Sequence, residues 1–283
     1  MPTLPTNINE GYSPVQIDAL WTAPWNDRFS PVRLKKNLSE DVLARVPFLN
    51  MTLRLLHELE AKGEIKLTAI GNLPGALCKE LYALCPFNEL IESGISKIRG
   101  ENDVMEVMML HAMARDLGWV KHRHGKISLT AKGKKILSNP REILRQLLTV
   151  FCLWGISDCF DGYEYGNLNR GAAFLFILLH KYGKEVHDIR FYTEKYLLAC
   201  HDLFWVKPSD VEKVTLKLHR PIYIRLFRRF MIYFGVLTMS NDKYDFASKY
   251  EKAEIEATPL LYELIEVDSP ENKVKIKTDI IFS

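Results

Sequence analysis

Signatures of catalysis and cofactor binding are what this chain has least of. It contains no G-x-S-x-G, no H-E-x-x-H, no G-x-x-x-x-G-K-[ST] and no G-x-G-x-x-G. The local patterns for a nucleophile elbow, a zinc protease helix, a P-loop and a dinucleotide turn are therefore missing, and neither a catalytic role nor a cofactor is expected. Its five cysteines, Cys78, Cys85, Cys152, Cys159 and Cys200, form no C-x-x-C pair. An odd count without a disulfide rhythm fits reduced, buried thiols in a cytoplasmic setting. The longest apolar run, Ala172 to Leu179, falls far short of the roughly 20 residues that cross a bilayer, so no membrane partner is expected. The opening Met1-Pro-Thr-Leu-Pro-Thr-Asn lacks the basic and apolar regions of a secretory signal. Charge of one sign is scarce as well. Lys and Arg number 38 against 35 Asp and Glu, a net +3, so any nucleic-acid contact must rest on local patches.

What is present is enough apolar material, 47% over 283 residues, to fill the cores of two ordinary domains. Residues 1–38 hold five prolines and the aromatics Tyr12, Trp21, Trp25 and Phe29 among polar residues. They read as an irregular segment whose rings anchor in grooves of the body. Helical patterning begins at Ser39, a cap followed by Glu40 and Asp41. Leu49, Leu53, Leu56 and Leu59 mark a helix ended by Gly63, and Ile65 and Leu67 alternate as a short strand. Leu77, Leu81 and Leu84 face a helix after Pro74. A short helix broken at Gly94 is expected in the stretch 87–100, then a strong helix from Asn102 or Asp103 to Gly118. Trp119 to Lys121 and Lys126 to Thr130 can pair across His122-Arg-His-Gly, before a helix from Ala131.

This order, helix, strand, helix, helix, strand, wing, strand, helix, resembles the winged helix-turn-helix superfamily over residues about 40 to 139. Leu117-Gly-Trp-Val with Leu129-Thr-Ala-Lys-Gly resembles the wing of MarR-type or PadR-type regulators. The related block Leu67-Thr-Ala-Ile-Gly-Asn-Leu-Pro is similar to one that recurs in bacterial proteins of unassigned function. A fainter copy, Ala257-Thr-Pro-Leu, follows a hairpin expected from Asn241 to Ala257, itself preceded by a helix opening at Pro221. The expected fold is mainly α with small β-hairpins, an α+β arrangement of tandem winged-helix-like units with extra helices. The units are 39–140 and, degenerate, 169–267. Residues 141–168 form a linking helix and an acidic loop, and 268–283 a tail in which Val274, Ile276 and Ile280 alternate as a strand does.

Two basic features carry the functional expectation. Lys121, His122, Arg123, His124 and Lys126 crowd the first wing, where cations meet phosphate. Arg225, Arg228 and Arg229, spaced i, i+3 and i+4, form a stripe joined by Lys217 and Arg220. Either feature is equally a solvated surface. Against DNA, Glu101, Asp103 and Glu106 crowd the helix before the first wing, and no Lys or Arg lies between Glu101 and Ala114. His122 and His124 share a face if both lie on a strand, but lack Cys, Asp or Glu at zinc spacing, so no metal is expected. Asp158, Asp161 and Glu164 read as a loop rather than a calcium site. The chain is thus expected to be a non-catalytic DNA-binding or regulatory protein. The alternative is a protein-interaction adaptor that uses the units as scaffold. A homodimer pairing through Arg141 to Ile156 is compatible with both.

Overall fold

The structure, a computed structural model, describes residues 8–85, 88–153, 162–163, 168–204, 207–245 and 250–270. The acidic positions Asp158, Asp161 and Glu164 lie outside them, as do Cys159 and the expected tail strand. Mostly helical, with three small antiparallel sheets, the chain has the mixed, mainly α character that its periodicity announces.

The N-terminal segment is more ordered than its composition suggests. Ser13 and Gln16 form a capping box, and Pro14 takes the first position of α1 (Pro14–Thr22). This S-P-x-Q signature was the available signal, and the absence of a clear apolar period hid it. A strand β1 (Val32–Leu34) follows. The aromatics do anchor: Trp25 is buried edge-on against Phe176 at 5.3 Å, and the Tyr12 hydroxyl donates to the Asp268 carbonyl at 2.5 Å.

The first unit comprises α2 (Glu40–Ala44), α3 (Pro47–Lys62), β2 (Glu64–Lys66), α4 (Gly75–Tyr82), α5 (Glu89–Glu92), α6 (Met105–Asp116), β3 (Val120–Arg123), β4 (Lys126–Leu129) and α7 (Ala131–Ile136). Its sheet has the order β2-β4-β3, because β2 comes home against the far strand of the hairpin. α8 (Pro140–Leu153) then leads to the second unit: α9 (Ala173–Tyr182), β5 (His187–Asp188), α10 (Ile189–Ala199), α11 (Val211–Ile222), β6 (Leu237–Asp245), β7 (Tyr250–Ala257) and α12 (Pro259–Leu264). Here the sheet order is β5-β7-β6, the same arrangement. A last strand β8 (Ile265–Val267) pairs with β1, with Val32 opposite Val267.

The two units also close their hairpins with the same set of bonds. In the first, Gly118 has φ +71°, Trp119 N donates to Ala114 O, and the Thr130 hydroxyl donates to Gly118 O at 2.6 Å. In the second, Gly235 has φ +69°, Val236 N donates to Met231 O, and the Thr258 hydroxyl donates to Gly235 O, again at 2.6 Å. A left-handed glycine ends the helix and turns the chain into the hairpin; a threonine hydroxyl on the returning strand satisfies the exposed carbonyl. The L-T-A-x-G similarity to residues 67–71 has a different basis. Gly71 is a turn residue with φ +85°, whereas Gly133 lies inside α7, where an added Cβ would stand 2.0 Å from the Trp119 carbonyl.

Two expectations about the second unit need correction. Pro221 opens no helix: α11 begins ten residues earlier, after a short turn at Pro208–Asp210, and passes through Pro221. The stripe Val211, Thr215, Leu218 and Ile222, all buried, was the signal. Since Pro221 has no N–H to donate, the helix widens beyond it over Tyr223–Met231, with Ile232 N bonding five residues back to Phe227 O. The hairpin that follows starts at Leu237 rather than Asn241.

α8 is no mere link. Leu144, Leu147, Leu148 and Phe151 are buried, and Phe151 meets Phe48 of α3 at 5.3 Å and Phe230 and Phe234 at 5.2 Å each. One continuous hydrophobic core runs from Tyr12 to Ile265 through both units. Each such buried aromatic contributes about 1.5–3 kcal/mol. α8 therefore spends its apolar face inside the chain.

Candidate functional site

The first hairpin turns more tightly than expected. Arg123 pairs with Lys126 and His122 with Ile127, leaving only His124 and Gly125 in the turn, at φ +50° and +71°. Two successive positive φ values define the type I′ turn that suits the twist of a hairpin. His124 is thereby removed from the strand, so the two wing histidines do not share a face. Lys121, His122, Arg123, His124 and Lys126 are all exposed. Lys126 is ion-paired with Glu64 on β2, and exposed Lys66, Lys134 and Lys135 stand on β2 and α7.

His122 instead turns toward α6. Its Nε2 lies 2.8 Å from His111 Nε2, and His111 Nδ1 lies 2.8 Å from a Glu101 oxygen. The other Glu101 oxygen accepts the Leu73 N–H at the entry to α4. A buried carboxylate thus orients a buried imidazole, which meets a third group at the base of the wing. Partial burial, with His111 and Arg115 nearby, holds the His122 imidazole below its ordinary range, while Glu101 opposes the shift. The chain of groups opens on a cleft of about 420 Å³ that Ile70 and Arg115 also line. Among the described residues, no three His, Cys, Asp or Glu side chains converge as a metal site.

Sequence reasoning missed His111. The available signal was a histidine in the apolar stripe Val104, Val107, His111 and Ala114. It also misplaced the acids around it, which do not face a nucleic-acid backbone as a group. Glu101 and Glu106 are buried, and the Asp103 carboxylate accepts the Arg99 and Gly100 N–H groups at 2.8 and 3.0 Å.

The arginine stripe does not survive folding as a surface. Arg225 is fully buried and donates to the Tyr163 carbonyl at 2.6 Å. Arg228 and Arg229 are half-buried, with Arg228 Nε on the Tyr223 hydroxyl at 2.7 Å. The reason is the wider winding after Pro221, together with the apolar Leu226, Phe227 and Phe230 around it, which draw this segment into the core. Lys217 and Arg220, one turn earlier on α11, remain exposed with Lys213. The described cysteines, Cys78, Cys85, Cys152 and Cys200, are free and buried, and burial raises every thiol away from its reactive form.

Residues 44–142 match the family model of the Y4jL N-terminal domain. That span runs from the end of α2 to the first turn of α8 and so takes in the whole first sheet. Nothing among the curated proteins or the solved structures matches the chain.

Proposed function

We propose that the chain is a regulatory protein of two fused winged-helix-like units that holds nucleic acid by its phosphates, with a binding rather than a catalytic role. The observation that carries this reading is the first hairpin: a rigid two-residue turn presenting Lys121, Arg123, His124 and Lys126 to solvent at the end of a three-stranded sheet. Strand order in both units supports the winged-helix part of the proposal. α6, which would be the reading helix of the first unit, exposes only Arg115 and Asp116 at its end. The contact is accordingly one of position and charge, and base reading is not its basis.

Fluorescence anisotropy with a labelled duplex over a salt series tests this. Affinity should fall steeply with salt, and Lys121→Ala with Arg123→Ala should lower the logarithmic slope by about 0.9 for each phosphate no longer neutralised. Salt-independent affinity, or an unchanged slope in the double variant, removes the hairpin from the interface.

One observation favours the adaptor reading. Ile70 beside the histidine pair is 76% exposed, and Leu216, between Lys213 and Lys217 on α11, is 55% exposed. Large apolar side chains set among cations suit a protein surface. On that reading the duplex is not bound at any salt concentration, and a stable protein partner copurifies whose binding weakens on Leu216→Ser.

A further inference from the structure

Between the units lies a second cavity, of about 310 Å³, at the small end of the range for ligand pockets. Its polar floor is Glu106 from α6 and Tyr233 from the end of the widened helix. Glu106 is only 3% exposed. One carboxylate oxygen accepts the Tyr233 hydroxyl at 3.1 Å, which ties the units together. The other is buried, without a hydrogen-bond partner among the described residues. A tie between α6 and Tyr233 needs one oxygen, and a buried acceptor is normally satisfied. The second oxygen is therefore the unexplained group of this cavity.

The remaining lining is complementary in charge. Arg228 and Arg229 border the cavity together with the acid, and Leu90, Met105 and Ile224 supply apolar wall. The Arg228 guanidinium is held by its bond to Tyr223, so a cation is presented in a fixed orientation. Widened helical turns are frequent at functional sites. A carboxyl group and guanidinium groups on one small, partly apolar space fit a molecule that carries both a donor and a carboxylate. We propose that the cavity binds a free amino acid with a short apolar side chain. Its carboxylate lies toward Arg228 and Arg229, its amino group donates to the open Glu106 oxygen, and its side chain rests on Leu90, Met105 and Ile224. Such a ligand would touch α6 and the second unit at once, making their junction responsive to it.

The test is isothermal titration of the full chain with L-alanine, L-valine and L-leucine. Isobutylamine, isobutyrate and inorganic phosphate serve as partial probes. At least one amino acid should bind with a Kd of about 1 mM or tighter, and the amine and the carboxylate alone about tenfold or more weaker, because each leaves a polar group of the site unpaired. Glu106→Gln, which preserves shape and the Tyr233 contact, should weaken the amino acid by about tenfold while leaving the melting curve of the unliganded protein cooperative. Arg229→Gln should do the same. Should that variant fail to fold, Glu106→Gln alone decides. Absence of heat with all three amino acids up to about 10 mM overturns the proposal. Equal binding of phosphate, isobutyrate and amino acid, unaffected by Glu106→Gln, also overturns it, since that describes a simple anion site.

Discussion

In the first unit the hairpin leaving Gly118 runs four residues, turns at His124-Gly125 and returns with cations at its tip. In the second, the hairpin leaving Gly235 runs nine, slips register between Ser240 and Lys243, and carries Glu254 and Glu256 on its returning strand. Yet both are shut by the same glycine and threonine. The helices before them differ as much: α6 is regular, while α11 passes through Pro221 and widens until its arginines turn inward. The shared closure therefore specifies a topology. What each unit exposes depends on what the helix before its hairpin is packed against.

The largest expected effect tests whether the two units are separable at all. Phe151→Ala, in the aromatic cluster between α3, α8 and the widened helix, should cost about 3–5 kcal/mol. Calorimetry should then show one transition, lowered for the whole chain. Two transitions, only one of them shifted, would mean that the units fold independently.

A smaller effect sharpens the equivalence of the closures. Gly118→Ala and Gly235→Ala each force a residue with a Cβ into the left-handed region, at about 1–2 kcal/mol. Gly235 should cost more, because a Cβ there stands 3.2 Å from Leu260 and 3.3 Å from Pro47, whereas at Gly118 the nearest atom is 3.9 Å away. Urea unfolding of both variants measures this. The reverse order would show that the two turns carry different strain despite their matched φ values.

The smallest effect concerns pH and the His122 imidazole of the first hairpin. Counted from the closing glycine, the position of His122 is filled in the second unit by Met239. Because the His122 imidazole titrates below its ordinary range of about 6.5, the folded chain takes up that proton less readily than the unfolded chain. Its contribution is fully present above that pH and declines as pH falls through the window just below. His122→Gln should flatten the slope of unfolding free energy between about pH 7.5 and 5.5. A slope that stays the same detaches His122 from the group of Glu101 and His111.

Most of the first unit could be read from local chemistry. Ser39 caps α2 as its type suggests, Gly63 ends α3, and the alternation at Ile65 marks β2. Each of these signals lies within a few residues of its consequence. The candidate site was half legible. Exposed charge on a hairpin tip follows from composition and turn chemistry, so Lys121, Arg123 and Lys126 were found. The Glu101, His111 and His122 chain was not, because its members meet only when α6 and β3 pack, and nothing in their spacing requires it. Pro221 misled for the opposite reason. Its local meaning, a helix start, was overridden by the apolar surface on both sides of it, which keeps the helix going at the expense of a regular winding.

Local chemistry settles where α2 starts, where Gly63 and Gly118 turn the chain, and that a basic hairpin stands at residues 121–126, because these depend on backbone sterics and on neighbours in the chain. Packing across the chain sets the rest: the N-terminal strand pairs with β8, α8 is core, and Arg225 is buried while Glu106 faces a cavity. Those outcomes depend on which apolar faces find each other across the chain, and burial there is worth more than any single residue's local preference.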